Sequence, residues 1–302
     1  MFINQIISEL KFYDIQLIEI LVKKEQSIIA KVNYLNKICI AKIFYMNSFN
    51  KINYSYDLEL NLYNNLKKNY IPKLIEKLDI NKYKIIIITC LENYVNLYDV
   101  SEKISNKEIS YIFNKLLNII EDFHKNAIHK DLKNDNIMYE PISKDINIID
   151  FGLSFLLDKT DNKYLSYTSM AFDWQCPDFT LRNYKNSDIM NSTNLKIKKN
   201  IDQAKKNDLF SIIIIILHIK KKKHNLFKIR GILPEYIFAL ENYVEDNNYY
   251  KILKQYLNEN INLLKNNSEI EININCLIKF YIDNIDKSYE FILDNFKKFK
   301  II

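Results

Sequence analysis

Hydrophobic and polar positions alternate with two different periods along the chain. Between residues 14 and 45, three apolar segments (IQLIEIL, SIIAKVNYL and KICIAKIFY) are separated by polar breaks, which predicts consecutive antiparallel strands. Over residues 54–69 the period changes, because Leu58, Leu62 and Leu66 lie four positions apart on one face of a predicted helix. The segments KLIEKLDI and YKIIIITCL then predict a second pair of strands, the latter with the continuous apolar run of a buried strand.

Helical periods dominate after about residue 92. Ser105 and Glu108 have the spacing of a capping box, and the apolar positions behind them repeat as in one long helix. Two short strands are predicted around NIMYEP and INIID, with helices from about residue 200. The apolar run over residues 209–219 is shorter than the roughly 20 residues of a membrane-spanning helix, so it predicts a buried core helix. A strand-rich first third before a helical remainder predicts an α+β fold with two lobes and a cleft.

Composition and charge narrow the classes of protein. The 302 residues are 48% hydrophobic and 26% charged, which predicts a globular protein of one large or two smaller domains. A net charge of +6 permits an acidic partner such as nucleic acid but does not require one. The charge alone therefore does not indicate binding of nucleic acid. The four cysteines are widely spaced, which favours a reducing, intracellular setting over a disulfide framework or a zinc site. The N-terminus lacks the pattern of a secretory signal, and no membrane segment is expected.

One polar segment is a candidate for chemistry. Residues 127–139, AIHKDLKNDNIMY, contain His129, Asp131, Lys133 and Asn136, and the triplet Asp150-Phe151-Gly152 follows 19 residues after Asp131. A chain rich in Lys, Asn and Asp produces clusters of these residues readily. The same composition does not explain a glycine in the triplet, because the whole chain has only two.

These motifs resemble those of the eukaryotic-type protein kinase family, whose catalytic loop is H-R-D-L-K-x-x-N and whose metal-binding motif is D-F-G. CIAKIF resembles the V-A-I-K strand, which implies that Lys42 contacts the ATP phosphates, and ELNLYNNL implies that Glu59 is its ion-pair partner. CPD (176–178) resembles A-P-E. DLFSIIIIIL resembles a buried helix of the family, so Asp208 is expected to be an N-cap, a partner of the catalytic-loop backbone, or both.

The resemblance assigns roles to the polar residues. Asp131 is expected to be the catalytic base and Lys133 to offset phosphate charge, while Asn136 and Asp150 provide the hard oxygen ligands that magnesium prefers. Gly152 is expected to turn the backbone at positive φ. His129 is expected to pack and form hydrogen bonds, with proton transfer as the alternative. The expected cofactor-binding residues beside Lys42 and Glu59 are Val22, Ile29, Ile40 and Met138.

The adenine-binding positions and the phosphate loop depart from the family pattern. Ile40 stands where the family has a small residue above the adenine ring, and Met138 either forms the floor under adenine or is ordinary apolar strand filler. Residues 22–29, VKKEQSII, lack the family's phosphate-binding glycines. Lys23 or Lys24 either supplies compensating charge or lies in a solvated turn.

The catalytic and activation segments depart from the pattern as well. Lys130 replaces an arginine that engages an activation-loop phosphate, for which the candidates here are Ser166, Tyr167 and Thr168. The basic residues 191–207 predict a solvated insertion, with docking of an acidic partner as the alternative.

The prediction from the sequence is therefore a bilobal protein-kinase-like fold, with residues 1–91 as the nucleotide-binding lobe and residues 92–302 as the catalytic lobe. The expected activity is transfer of the ATP γ-phosphate to serine or threonine on a protein substrate, with Mg²⁺ or Mn²⁺. A pseudokinase scaffold and a small-molecule kinase are the alternatives. The residue bias suggests an AT-rich genome, such as that of a large DNA virus or a parasite. We expect a cytoplasmic monomer, in the host cytoplasm or the virion if the source is viral.

Overall fold

A computed structural model of the chain describes most of its length, namely residues 9–24, 27–45, 54–80, 83–100, 103–157, 194–221 and 269–300. The internal contacts divide the chain into two compact units. The first unit is Met1–Tyr94 with Glu140–Ser154, and the second is Val95–Tyr139 with Phe155–Ile302.

The elements follow one another as the apolar periods predict, strands first and helices later. In chain order they are β1 (Ile15–Lys23), β2 (Ser27–Tyr34), β3 (Lys37–Tyr45), α1 (Tyr54–Asn65), β4 (Leu74–Ile80), β5 (Tyr83–Thr89), β6 (Val95–Asn96), α2 (Leu97–Val100), α3 (Asn106–Phe123), β7 (Ala127–Ile128), a 3-10 turn (Asn134–Asn136), β8 (Ile137–Glu140), β9 (Asp145–Ile148), β10 (Phe155–Leu156), α4 (Asn194–Lys221), α5 (Glu269–Asp283) and α6 (Tyr289–Phe296). The predicted α+β class is confirmed.

The first unit is built on an antiparallel sheet with the strand order β1-β2-β3-β5-β4. Alternate residues of these strands point to opposite faces, so one face collects the apolar side chains of the core. Its members are Leu10, Ile15, Ile28, Ala30, Val32, Cys39, Ala41, Ile43, Ile80, Tyr83, Ile85 and Ile87. Lys42 falls between Ala41 and Ile43 and therefore points to the other face.

The second unit is mainly helical. The capping box at the start of α3 is present, since the Ser105 hydroxyl accepts from the Glu108 backbone N–H and the Glu108 carboxylate accepts from Ser105. Helix α4 packs against α3, α5 and α6. Its residues Ile212–Ile216 are completely buried, so the predicted core helix is confirmed.

The N-terminal part of α4 corrects one prediction. Residues 194–207 are helical, so a solvated loop over 191–207 is wrong for the part of that segment that the structure describes. Lys206 is buried there, and its Nζ donates to the carbonyl oxygens of Ile285 and Lys287 at 3.0 Å each. No local pattern indicates these long-range partners, because a lysine-rich segment usually lies in solvent. None of the helices within the described ranges is long and apolar enough to cross a membrane.

Candidate active site

Lys42 and Glu59 form a buried ion pair in the first unit. Lys42 projects from β3 and Glu59 from α1, and Lys42 Nζ lies 2.5 Å from Glu59 Oε1. Burial alone lowers the pKa of Lys42, but the charges and hydrogen bonds of Glu59 and Asp150 outweigh burial and raise that pKa above its ordinary value. Burial also raises the pKa of the Glu59 carboxyl, with Lys42 opposing the shift. Lys42 is therefore firmly cationic, with Glu59 as its counter-ion.

Asp150 binds two lysines at once. Its Oδ1 lies 3.2 Å from Lys42 Nζ, and its Oδ2 lies 3.5 Å from Lys24 Nζ. The Asp150 backbone has φ 65, a left-handed conformation that is rare and strained for residues other than glycine. With this backbone, the carboxylate lies beside Lys42 of β3 and Lys24 at the end of β1. Lys24, whose side chain is 55% exposed, thus forms an ion pair with this carboxylate, and whether it supplies charge to phosphates stays a prediction.

Gly152 is needed for a different reason from the one predicted. Its φ is not positive, so the prediction that it turns the backbone at positive φ is wrong, and Asp150 carries that conformation. A Cβ at position 152 would lie 2.1 Å from Ser55 Oγ and 3.3 Å from Ser55 Cβ. The close approach of α1 therefore excludes a side chain here. Phe151, between these two residues, is fully buried and packs edge-on against Tyr63 of α1 at 5.4 Å.

Three predicted cofactor-binding residues share the sheet face of Lys42. Ile29 lies opposite Lys42 in the β2–β3 register, and Val22 lies opposite Ile29 in the β1–β2 register. Ile40, two residues before Lys42, points to the same face. Val22 is 42% exposed, and Ile29 and Ile40 are partly buried. The face beside Lys42 is therefore apolar and incompletely covered within the first unit.

Asp131, Lys133 and Asn136 meet in the second unit. Lys133 Nζ lies 3.0 Å from Asp131 Oδ2, and Asn136 Nδ2 donates to the same oxygen at 3.1 Å and to the Asp131 carbonyl at 2.7 Å. Asp131 Oδ1 is buried and has no hydrogen-bond partner among the described residues. One carboxylate oxygen is thus held by two donors, and the other has no hydrogen bond among the described residues.

Asp208 holds the backbone of this loop. Its Oδ2 accepts the N–H of His129 at 2.9 Å, and its Oδ1 accepts the N–H of Lys130 at 3.0 Å. Asp208 is fully buried in the middle of α4. The expectation of an N-cap is wrong because the helix begins at Asn194, whereas the expected bonds to the catalytic-loop backbone are present.

Two histidines complete the support of the loop. His129 is fully buried, and its Nδ1 accepts the Asp131 N–H at 3.3 Å. His124, which sequence reasoning missed, lies 2.9 Å through Nε2 from Asp208 Oδ2. Burial lowers the pKa of His124, with Asp208 opposing the shift, so the neutral ring donates Nε2–H to Asp208. No pattern in the sequence connects His124 with a residue 84 positions away.

Lys130 is buried inside the loop rather than presented to solvent. Its side chain is 2% exposed and its backbone has φ 67. Burial lowers the pKa of Lys130 to about 8, with Asp208 opposing the shift. Met138, the fourth predicted cofactor-binding residue, lies on β8 opposite Asn96 and is partly buried. The CPD segment and the candidate phosphorylation sites Ser166, Tyr167 and Thr168 lie outside the described residues.

Comparison with known proteins finds one family. A family model described as the protein kinase domain matches residues 27–230, which is more than half of the chain. Among curated proteins, the chain is 33% identical over 117 residues to "Serine/threonine-protein kinase 1" of African swine fever virus (strain Badajoz 1971 Vero-adapted). That match covers 38% of this chain and 39% of the viral protein, so it spans less than half of either.

Two eukaryotic proteins match over shorter stretches. The human "NUAK family SNF1-like kinase 1" is 34% identical over 105 residues, covering 33% of this chain and 16% of the human protein. "Probable serine/threonine-protein kinase fnkB" of Dictyostelium discoideum is 34% identical over 82 residues, covering 25% of this chain and 16% of that protein.

Proposed function

This chain belongs to the protein kinase domain family, and from that premise we propose that it is a serine/threonine protein kinase. In this proposal it transfers the γ-phosphate of ATP to hydroxyl groups of a protein substrate. The names of the African swine fever virus and Dictyostelium discoideum relatives, both serine/threonine-protein kinases, support the serine/threonine specificity. The observation that carries the proposal is the Asp131 carboxylate, with one oxygen held by Lys133 and Asn136 and the other without a partner among the described residues.

Asp131 and Lys133 are the proposed catalytic residues. The free Oδ1 of Asp131 accepts the proton of the substrate hydroxyl and orients that oxygen toward the γ-phosphate. The ammonium of Lys133, held at Asp131 Oδ2, offsets the negative charge of the phosphoryl group during transfer. Asp208 keeps the backbone of this loop in place, because it binds two successive N–H groups.

In the first unit, Lys42 is the proposed ligand of the ATP phosphates. Its cationic state is secured by Glu59, and the apolar residues Val22, Ile29 and Ile40 on the same sheet face are suited to the adenine ring. Met138 is proposed to contact the ring as well. Residues 1–91 are proposed to form the nucleotide-binding lobe and residues 92–302 the catalytic lobe.

Asn136 and Asp150 are the proposed metal ligands, and the groups they offer fit a hard cation. The amide nitrogen of Asn136 is engaged by Asp131, which leaves its oxygen as the group for a cation, and Asp150 offers a carboxylate. The described residues contain no cluster of three or more His, Cys, Asp or Glu that could hold a metal ion. Magnesium commonly uses one or two protein ligands and takes the others from phosphates and water. A bound Mg²⁺ or Mn²⁺ would neutralise phosphate charge.

The proposed setting is reducing and intracellular, in the cytoplasm. If the source is viral, the proposed setting is the host cytoplasm or the virion. Cys39, Cys90 and Cys276, the cysteines within the described residues, are free thiols, which supports this setting. The protein is proposed to act as a monomer on ATP and a protein substrate.

The test is transfer of labelled phosphate from ATP, with magnesium or manganese, to a generic Ser/Thr substrate. Asp131→Asn removes the proposed base and is expected to lower kcat by roughly 10²- to 10⁴-fold. Asp294→Asn, the same change at an exposed residue of α6, is the matched control and is expected to keep wild-type activity. A wild type that transfers no more phosphate than Asp131→Asn, over a wide range of ATP and substrate, would contradict the proposed activity.

A further inference from the structure

The hairpin between β1 and β2 lacks the residues that usually bring backbone amides close to phosphates. The Lys24 N–H donates to the Ser27 carbonyl at 2.8 Å, so the two strands stay connected up to this pair, with Glu25 and Gln26 between them in the sequence. Residues 22–29 contain no glycine. Side chains keep a phosphate farther from the backbone N–H groups, so a different donor is needed for phosphate charge.

Lys24 lies on the face of the sheet, and has the side-chain length, that a phosphate-binding residue needs here. Val22 lies opposite Ile29 and Ile29 lies opposite Lys42, and alternation along the strand places Lys24 on this same face. The contact between Lys24 Nζ and Asp150 Oδ2, at 3.5 Å, is consistent with this placement. Lys23 follows the opposite alternation. Lys23 and Lys24 are neighbours in the sequence and thus lie on opposite faces of the sheet.

The charges around Asp150 indicate what Lys24 binds. Lys24, Lys42, Glu59 and Asp150 form a connected group with two positive and two negative charges. A nucleoside triphosphate with a divalent cation brings net negative charge to this balanced group. Lys42 remains tied to Glu59, whereas Lys24 has a side chain that is 55% exposed and a flexible stem. Lys24 is therefore the lysine that can change partner.

We propose that Lys24 is a phosphate-binding residue that pairs with Asp150 in the free protein and transfers to the phosphate oxygens when a nucleoside triphosphate binds. This inference rests on the proposed function of the chain. A divalent cation bound at that carboxylate would repel the Lys24 ammonium, and phosphate offers the ammonium a stronger anionic partner. A side-chain cation thereby takes the place of backbone amides in the phosphate loop.

The experiment compares equilibrium binding of ATP and of adenosine, in the presence of magnesium, to the wild type, Lys24→Ala, Lys24→Arg and Lys23→Ala. Lys24→Ala is expected to weaken ATP binding roughly five- to twentyfold, the effect of losing one charge-assisted hydrogen bond that is partly exposed. Adenosine lacks phosphates, so its affinity is expected to change by less than about twofold. Lys24→Arg is expected to retain most of the ATP affinity. Lys23→Ala removes the same charge from the other face and is expected to bind ATP as the wild type does.

A second measurement follows ATP affinity as the salt concentration rises. The wild-type affinity is expected to fall more steeply than that of Lys24→Ala, because an exposed cation is screened by salt. Equal losses of ATP affinity in Lys24→Ala and Lys23→Ala, or no loss in Lys24→Ala, would overturn the inference about Lys24 and leave the proposed kinase function intact. A wild type that binds neither ATP nor adenosine would overturn both.

Discussion

Replacing Asp208 by asparagine tests whether α4 holds the catalytic loop in its active geometry. The carboxylate is fully buried and accepts three hydrogen bonds, from the backbone N–H groups of His129 and Lys130 and from the ring of His124. Asparagine has nearly the same size but only one acceptor oxygen. Its NH₂ group must face at least one of these donors, so at least one buried N–H loses its acceptor.

The expected cost follows from these contacts. A hydrogen bond to a charged group contributes about 1.5–3 kcal/mol, and a buried donor without a partner costs about 1–3 kcal/mol. Relief from burying a charge offsets part of the loss. Asp208→Asn is therefore expected to lower the free energy of unfolding by about 2–4 kcal/mol. The loop that carries Asp131 would lose its anchor, so kcat is expected to fall at least about tenfold, with little change in the KM for ATP.

The assay pairs urea denaturation with steady-state kinetics. Ser211→Ala is the matched control, because the Ser211 hydroxyl is buried on the same helix and donates a neutral hydrogen bond to the Asn207 carbonyl. It is expected to cost about 1 kcal/mol or less and to leave kcat unchanged. The reasoning would be refuted by an Asp208→Asn protein that unfolds within about 1 kcal/mol of the wild type and keeps its kcat.

Three further predictions concern one residue of the first unit and two of the second. Gly152→Ala is expected to lower stability by about 1–3 kcal/mol, and adding Ser55→Ala should restore most of it in denaturant titrations, since the clash is with the Ser55 side chain. The pKa of Lys130 is lowered to about 8 from 10.5, so between pH 8 and 10.5 the unfolded chain binds one proton more than the folded chain. The stability of the wild type therefore rises with pH in this range. Lys130→Met should remove that rise, and Lys125→Met should not. The pKa of His124 lies below its ordinary 6.5, so stability is lost as pH falls below that value, and urea titrations at pH 7 and 5 should show a smaller loss for His124→Gln.

The elements that the sequence predicts well are those specified by local patterns. Strands β1 to β5 follow the alternation of apolar residues, and the capping box of α3 needs two residues three positions apart. The ion pair of Lys42 and Glu59 is predicted by the family motifs, and not by the pattern of apolar and polar residues. Short-range rules suffice where neighbours along the chain determine the conformation.

Contacts between distant segments explain what the sequence did not predict. Residue type alone favours a helix start for Asp208, because aspartate is common there. Its backbone partners, 78 and 79 residues away, are anticipated only by the family resemblance. The sequence favours backbone freedom as the reason for Gly152, whereas in the structure the reason is the close approach of Ser55 on a distant helix. A buried lysine such as Lys206 contradicts the surface preference of its residue type, and only the packing of α4 against the carbonyls after α5 accounts for it.

Glycine is scarce in this chain, and the left-handed backbone conformations of Lys130 and Asp150 occur at residues with side chains. The hairpin before β2 has no glycine either, and a lysine side chain lies where close backbone amides would otherwise serve. Backbone amides are fixed dipoles, whereas a lysine is a mobile, screened charge. Nucleotide binding by this chain should therefore depend more on salt than binding through a glycine-rich loop does.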